Sequence, residues 1–234
     1  MVARYAIYYA PPRASALWRF GTTWLGRDPE GPSVDPRPSL PGIPPGRVAE
    51  IIAEPARYGF HATLKPPFGL RPGRGPSDLL VALDRFGEAE RSFDAPALAL
   101  RTIGRFIALV PASTAPSLHA FASRVVEAFD DFRAPPTEAE LARRQPDKLS
   151  ARQQALLARW GYPYVFDEFR FHLTLTGNLA QDEERDRMVE VLSPLVAPLC
   201  RDPITVTEIA LFREPAPGAP FVLERRFPLQ RRAG

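Results

Sequence analysis

The sequence is poor in the residues on which several kinds of site depend. Its 234 residues include one cysteine, three histidines and, among 30 basic side chains, only two lysines. A lone cysteine cannot close an intramolecular disulfide, which is typical of a protein kept in the reducing cytoplasm. A metallohydrolase would need three or four clustered ligands, and the chain contains neither a His-x-His nor a His-Glu-x-x-His string. The sequence therefore predicts a cytoplasmic protein that uses no metal and no cofactor.

Long apolar runs are also absent. No stretch approaches the ~20 apolar residues that span a bilayer, and residues 1–12 lack the apolar core of a signal peptide. With 45% hydrophobic and 24% charged residues, the chain can bury a substantial core. Its net charge of +3 suits an anionic substrate. We expect one bilobal domain over residues 1–234, without membrane contact, as a monomer or weak oligomer.

Proline, glycine and other turn residues divide the chain into alternating strands and helices. The predicted strands are residues 4–10, 58–65, several within 93–111, 168–176, 204–212 and 221–229. The predicted helices are residues 15–25, 48–53, 76–91, 116–132, 137–160 with a break at Pro146, and 181–199. Residues 27–46 are rich in proline and glycine and predict a long irregular loop, either a binding loop or a surface excursion. The order of strand, helix and strands occurs twice, which indicates a distant internal duplication.

Two of the three histidines lie in copies of one short motif, His-x-Thr-x. The copies occupy residues 61–64 and 172–175, each in a predicted strand. Because alternate residues of a strand face the same way, each copy predicts an apolar face and a polar face. The polar faces carry His61, Thr63 and Lys65 in the first copy and Arg170, His172 and Thr174 in the second. Such a row is costly to bury without partners, so it predicts a wet cleft.

If the two strands meet across that cleft, His61 and His172 flank one spot. Histidine titrates near pH ~6.5, so one imidazole can take a proton from an attacking water and the other can give one to the departing oxygen of a phosphodiester. The two threonine hydroxyls would bind the phosphate oxygens, and the lysine and the arginine would stabilise the developing charge. The sequence does not distinguish the acid from the base.

Less specific roles stay open for these side chains. The paired histidines could be core residues bound to the backbone, and the threonines could serve only as β-formers. Lys65 and Arg170 could be solvated charges at strand ends. His119 lacks the motif and is expected at the surface, and Thr176 is expected to be structural because the motif does not reach it.

Both motif copies match the His-hydrophobic-Thr/Ser-hydrophobic signature, and the chain resembles the two-histidine (2H) phosphoesterase superfamily. Three wider strings resemble its branch of uncharacterised proteins associated with bacterial phosphonate metabolism. These strings are RYGFHATLKPPF (57–68), RWGYPYVFDEFRFHLTLTG (159–177) and ALFREPAPGAPF (210–221). The likeness spans nearly the whole chain.

The resemblance implies a bilobal α+β fold with two pseudo-symmetric antiparallel sheets, flanked by helices, and the active cleft between them. It implies a metal-independent phosphoric diester hydrolase of the cyclic phosphodiesterase type, with His61 and His172 as its catalytic residues. The implied substrate is a cyclic phosphodiester of a small sugar phosphate or nucleotide, such as the 1,2-cyclic phosphate of ribose 5-phosphate. A further phosphate on it would bind Lys65, Arg170 or Arg213.

Other functions remain as alternatives. One is an RNA-end 2′,3′-cyclic phosphodiesterase or ligase-like enzyme, and another is a non-catalytic RNA-binding module that uses basic and aromatic surface. A nucleophilic hydrolase lacks support, because the chain has no Gly-x-Ser-x-Gly string and no cysteine paired with a histidine. A small phosphorylated substrate is therefore the favoured partner, and RNA is less favoured.

Overall fold

Helices and strands alternate along the chain, as the pattern of turn residues predicts. The computed structural model describes residues 3–31 and 34–231, so that two residues of the predicted 27–46 loop lie outside the described residues. The helices are α1 (Ala16–Leu25), α2 (Pro45–Tyr58), α3 (Pro76–Ala89), α4 (Pro116–Ala128), α5 (Glu138–Arg143), α6 (Ala151–Trp160) and α7 (Asp182–Val196). The strands are β1 (Arg4–Tyr9), β2 (Ala62–Gly69), β3 (Phe93–Ala95), β4 (Leu98–Ile103), β5 (Phe106–Pro111), β6 (Leu173–Thr174), β7 (Ile204–Val206), β8 (Glu208–Glu214) and β9 (Val222–Pro228).

The strands pair in antiparallel sheets. One sheet has the order β2-β1-β8-β9, a second has the order β4-β5-β6, and β3 pairs with β7. Helices flank these sheets, which confirms the α+β class. Each motif copy lies at the edge of one of the two larger sheets, at β2 and at β6.

The central strand β1 separates two apolar clusters, because its alternate side chains point to opposite faces. Ile7 and Tyr9 join the main core, which takes side chains from α1, α2, α3, α4 and α7 and from both larger sheets. Tyr8 lies on the other face, in a smaller cluster with Phe212 and Phe221. The face that carries the smaller cluster is also the face that carries the first histidine.

Strand β2 differs from the predicted 58–65 strand at both ends. It begins one residue after His61 and continues through Pro66 and Pro67. Proline is tolerated there because β2 is an edge strand, where a missing N–H need not cost a ladder bond. The residues before it belong to α2, which extends the predicted 48–53 helix in both directions.

The predicted strand 168–176 is wrong over most of its length. Residues 166–168 form a 3-10 turn, and only residues 173–174 pair with β5. The next two N–H groups both donate to the carbonyl oxygen of Ile107, so the regular ladder ends there. Thr176 is fully buried, and its Oγ1 accepts the N–H of Ile107 at 2.9 Å, which is the structural role expected of it.

Two searches of the described residues bear on membranes and metals. No helix among them is long and apolar enough to cross a bilayer. Within the same residues, no group of three or more histidine, cysteine, aspartate or glutamate side chains is arranged to hold a metal ion.

Candidate active site

Aromatic side chains and its own strand enclose the ring of His61. Tyr8 stacks on it, with ring centroids 3.8 Å apart and planes inclined by 23°. Tyr58 and Phe212 lie further out, with centroids at 6.0 and 6.1 Å. The hydroxyl oxygen of Thr63 is 3.3 Å from Nε2 of the imidazole. These contacts hold the ring in one orientation.

Hydrogen bonds assign the same tautomer to both motif histidines. Nδ1 of His61 donates to the carbonyl oxygen of Gly59 at 2.9 Å, and Nδ1 of His172 donates to that of Arg170 at 2.7 Å. A carbonyl can only accept, so the proton of the neutral ring is on Nδ1 and the lone pair is on Nε2. In both copies the acceptor lies two residues before the histidine, and both rings therefore offer the same basic nitrogen.

A turn that favours glycine provides the first of these carbonyls. Gly59 ends α2 with φ at 81°, in the left-handed region. A Cβ at this position would lie 3.0 Å from the side chain of Pro29. Glycine thus lets the chain leave α2 and turn directly into His61.

The two motifs meet at strand β1. Tyr8 stacks on His61 from one face of the strand. The next residue, Tyr9, contacts Phe171, the residue before His172, with ring centroids 5.4 Å apart. The two histidines are close enough for the charge of His172 to lower the pKa of His61. The structure therefore brings the predicted pair of histidines together.

Helices that flank the first motif also hold the end of the second. Nε1 of Trp24 in α1 donates to the carbonyl oxygen of Leu175 at 2.7 Å. The N–H of Gly177 donates to the carbonyl oxygen of Ile51 in α2 at 2.7 Å. Because the ladder of β6 is only two residues long, these bonds and the apolar core position the second motif.

Burial keeps both imidazoles neutral at neutral pH. It lowers the pKa of His61 to about 4, against the opposing effect of the hydrogen bond to Gly59. Burial also lowers the pKa of His172, where the charge of Arg170 acts in the same direction. A neutral ring with its lone pair on Nε2 is ready to accept a proton, as a general base must be.

Thr174 shares its face with a cation that sequence reasoning missed. It is opposite Ala108 of β5, which in turn is opposite Arg101 of β4. Residues paired across antiparallel strands share a face, so the exposed Arg101 lies on the face of Thr174. The alternation of leucines in β4 could have placed Arg101 there, but only once the strand pairing was known.

Lys65 does not share the face of His61, contrary to the prediction. Thr63 is opposite Tyr8 on β1, whereas Lys65 is opposite the preceding residue, Ile7. The residue between Thr63 and Lys65 is therefore an extra one, a β-bulge, which reverses the alternation beyond it. Lys65 then lies on the side of Ile7 and the main core.

An ion-pair network receives the ammonium group of Lys65. Nζ donates to the carbonyl oxygen of Val126 at 3.1 Å and to Asp130 at 3.4 Å. Arg133 and Arg159 bind the same carboxylate. Only 1% of Lys65 is exposed, and this burial lowers its pKa to about 8 against the effect of Asp130. The contacts of Lys65 are those of a residue that fixes α4 to β2.

The remaining sequence candidates lie around a separate cavity of about 490 Å³. Arg170 is exposed and lines this cavity, together with His119. His119 is at the surface, as expected, and its ring meets Phe169 edge to face at 5.3 Å. His61 and His172 are not among the residues that line the cavity. Arg170 thus lies next to the second histidine through its backbone, while its side chain borders a different space.

A buried carboxylate near the first motif also escaped sequence reasoning. Glu214 is fully buried and binds Arg4, Arg57 and the N–H of Gly218. Burial would raise the pKa of Glu214, but these hydrogen bonds hold it below its ordinary value. Arg57 also lies over the ring of Tyr58, with its guanidinium carbon 5.3 Å from the centroid. The cluster joins the end of β8 to the surroundings of the first histidine.

Two curated relatives match this chain over almost its whole length. They come from Janthinobacterium sp. (strain Marseille) and Laribacter hongkongensis (strain HLHK9), and both are named ribose 1,5-bisphosphate phosphokinase PhnN. Each is 37% identical to the chain, over 97% and 95% of it respectively. The chain spans about half, 51%, of the length of each relative.

These names correct the expected enzyme class. The resemblance implied a phosphoric diester hydrolase of the cyclic phosphodiesterase type. The relatives are instead named as a phosphokinase, an enzyme that transfers a phosphoryl group. On this comparison the hydrolase expectation is wrong.

One solved structure, that of TT0787 from Thermus thermophilus, covers 98% of this chain and 100% of its own chain. The TM-score is 0.43 and the sequence identity is 18%.

A family model also matches the chain. Its description is "Protein of unknown function (DUF1045)", and it covers residues 63–222, more than half of the sequence. The match begins within the first motif at Thr63 and includes the whole of the second. The chain belongs to the DUF1045 family.

Proposed function

We propose that His61 and His172 form one site that binds a phosphorylated ribose and moves protons at one of its phosphate esters. The observation that carries this proposal is the repeated hydrogen bond from Nδ1 to the carbonyl two residues earlier. It gives two neighbouring imidazoles the same basic nitrogen. We attribute this repeat to the two-histidine superfamily that the sequence resembles.

The two rings have different roles in this proposal. His61 is the base, because burial beneath Tyr8 keeps it neutral, with a pKa of about 4. His172 is the acid, since a bound phosphate dianion next to it favours its protonated form. The acid returns its proton to the oxygen that leaves phosphorus, and the base takes one from the oxygen that attacks.

Hydroxyl groups and an arginine supply the remaining contacts. The hydroxyl of Thr63, which donates to Nε2 of His61 in the free protein, turns to a phosphate oxygen when substrate binds. Thr174 does the same from the other sheet. Arg101, on the face of Thr174, adds positive charge where negative charge accumulates.

The names of the relatives suggest the substrate class, and the ribose they specify carries two phosphates. We place the chemistry in phosphonate utilisation, which the sequence resemblance implies and the PhnN names support. We also infer that the phosphokinase activity in those names belongs to the half of the relatives that this chain does not match. The chain has no Gly-x4-Gly-Lys-Ser/Thr string, the phosphate-binding loop of many nucleotide-dependent kinases.

Phosphorus NMR tests the proposal, because it detects any change in ester bonding. The substrates are ribose 5-phosphate, ribose 1,5-bisphosphate and their internal phosphate esters, each with and without ATP and Mg²⁺. We expect a reaction without ATP that is at least ~10²-fold slower in His61→Ala and in His172→Ala. His119→Ala is the matched control and should react at the wild-type rate.

Two results would contradict the proposal. One is full activity in either motif variant, and the other is the absence of any ATP-independent change across the panel. ATP-dependent phosphorylation of ribose 1,5-bisphosphate by this chain alone would overturn the inference about the kinase half.

A further inference from the structure

The cavity of about 490 Å³ has the size of a small-molecule site. The β4–β5 hairpin, the segment before α4 and residues 169–171 surround it. None of these was grouped by the sequence motifs. The cavity is therefore a second space, beside the histidine pair and distinct from it.

The chemistry of its lining favours an anion. Arg170 and His119 provide two basic side chains, and Thr102, Ser113 and Thr114 provide hydroxyl groups. Of the described residues that line the cavity, none is acidic. In the part of the chain that the structure describes, the guanidinium of Arg170 has no carboxylate partner, so its charge is available to a ligand. An arginine binds phosphate through two parallel N–H donors.

The cavity is connected to the proposed catalytic pair through a short backbone segment. The carbonyl of Arg170 accepts Nδ1–H of His172 at 2.7 Å. Phe169 and Phe171, on either side of Arg170, line the cavity and are buried. Two residues of extended chain span at most about 7 Å. A bisphosphorylated sugar is large enough to reach from one space to the other.

We propose that this cavity binds the phosphate group on which the two histidines do not act, with Arg170 as its main ligand. This assignment rests on the proposed function for its role in catalysis. The binding site itself stands on the lining of the cavity. Phe169 and Phe171 form its apolar wall, and the hydroxyl groups complete the contacts to the phosphate oxygens.

Histidine NMR can test the site, because the chain contains only three histidines. The ring signal of His119 reports on the cavity, whereas those of His61 and His172 report on the catalytic pair. Inorganic phosphate and ribose 5-phosphate are titrated separately, against sodium chloride at equal ionic strength. We expect a saturable shift of the His119 signal with both phosphates and none with chloride.

Variants separate this site from the proposed function. Arg170→Gln should weaken the His119 response at least about tenfold. His61→Ala and the exposed control Arg85→Gln on α3 should leave it unchanged. A missing His119 response, or an equal response in Arg170→Gln, would overturn the assignment. If His119 responds while no histidine-dependent reaction is found, the cavity site stands and the proposed function fails.

Discussion

Among single residues, Tyr8 has the closest ring contact with a motif histidine. Its stack on His61 at 3.8 Å excludes water from one side of the imidazole. That exclusion contributes to the burial that keeps the ring neutral. Tyr8 therefore acts through His61, as a positioning residue.

Replacing Tyr8 should change the titration of His61. In Tyr8→Leu, water reaches the ring, and the pKa of His61 should rise toward the ordinary value of histidine. Turnover at pH 7 should fall about tenfold as the ring loses its orientation, and unfolding should cost about 1–3 kcal/mol less. Tyr8→Phe keeps the stack and is the matched control. An unchanged titration in a folded Tyr8→Leu protein would show that the stack does not set the pKa.

Lys65 provides a second prediction for a single residue. Because its ammonium group faces Asp130, Lys65→Met should bind phosphate and ribose 5-phosphate within about twofold of wild type. Asp130 keeps Arg133 and Arg159, so the free energy of unfolding should change by no more than about 1–2 kcal/mol. Histidine NMR and urea denaturation measure the two quantities. A folded Lys65→Met protein that no longer binds phosphate would return Lys65 to the site.

Sequence reasoning found the histidines and threonines but not their neighbours, for a physical reason. A motif of four residues is local, so His61 and His172 stand out in the sequence itself. Tyr8, Arg101 and Glu214 reach their positions through strand pairing between distant segments, which the sequence does not display. Lys65 was misplaced because one extra residue in β2 reverses the alternation on which the prediction depended.

At the scale of elements, the packing of α1 on the segment before β2 sets the position of the first motif. Gly21 lies against the ring of Phe60, the residue before His61. A Cβ on Gly21 would lie 2.0 Å from a ring atom of Phe60, a distance that no relaxed side chain allows. Phe60 is fully buried and has little room to move.

Gly21→Ala should therefore disturb both stability and the site. We expect a loss of about 1–3 kcal/mol in the free energy of unfolding, which is typical of overpacking. Turnover should also fall, since Phe60 and His61 move together. Gly46→Ala in α2 is the matched control, because nothing lies within 4 Å of its Cβ position. Equal stability of the two variants in urea denaturation would show that the contact with Phe60 can relax.

Element boundaries were predictable where caps are local and unpredictable where pairing decides. Helix α1 begins after Ser15, whose side chain accepts the N–H of Trp18, and ends at Gly26 in the left-handed region, as the sequence indicates. The strand predicted over 168–176 had the right alternation of residues. Its pairing stops because two N–H groups share the carbonyl of Ile107. Alternation describes the strand alone, but a ladder also depends on its partner.

At the scale of the whole molecule, one apolar core underlies both larger sheets. Buried neutral histidines make its stability depend on pH. An unfolded histidine takes up a proton near pH ~6.5, whereas the folded pKa of His61 is about 4. The contribution from keeping this ring neutral is complete above about pH 6.5 and is lost as the pH falls toward 4.

Denaturation by urea between about pH 7 and 5 should show this loss. The wild-type free energy of unfolding should decrease across the interval, before most carboxylates titrate. His61→Gln should show a smaller decrease, and the exposed control His119→Gln should follow the wild type. A flat wild-type profile would mean that His61 is protonated in the folded protein.

Strand β1 gives the two histidines a common mechanical reference. Tyr8 and Tyr9 are joined by one peptide bond, and through their opposite faces they contact His61 and Phe171. A shift of β1 by one residue would exchange the two faces, so that both contacts would be lost at once. The distance between the imidazoles is thus adjusted at a single place, and small changes near Tyr8 and Tyr9 would retune both halves of the site together.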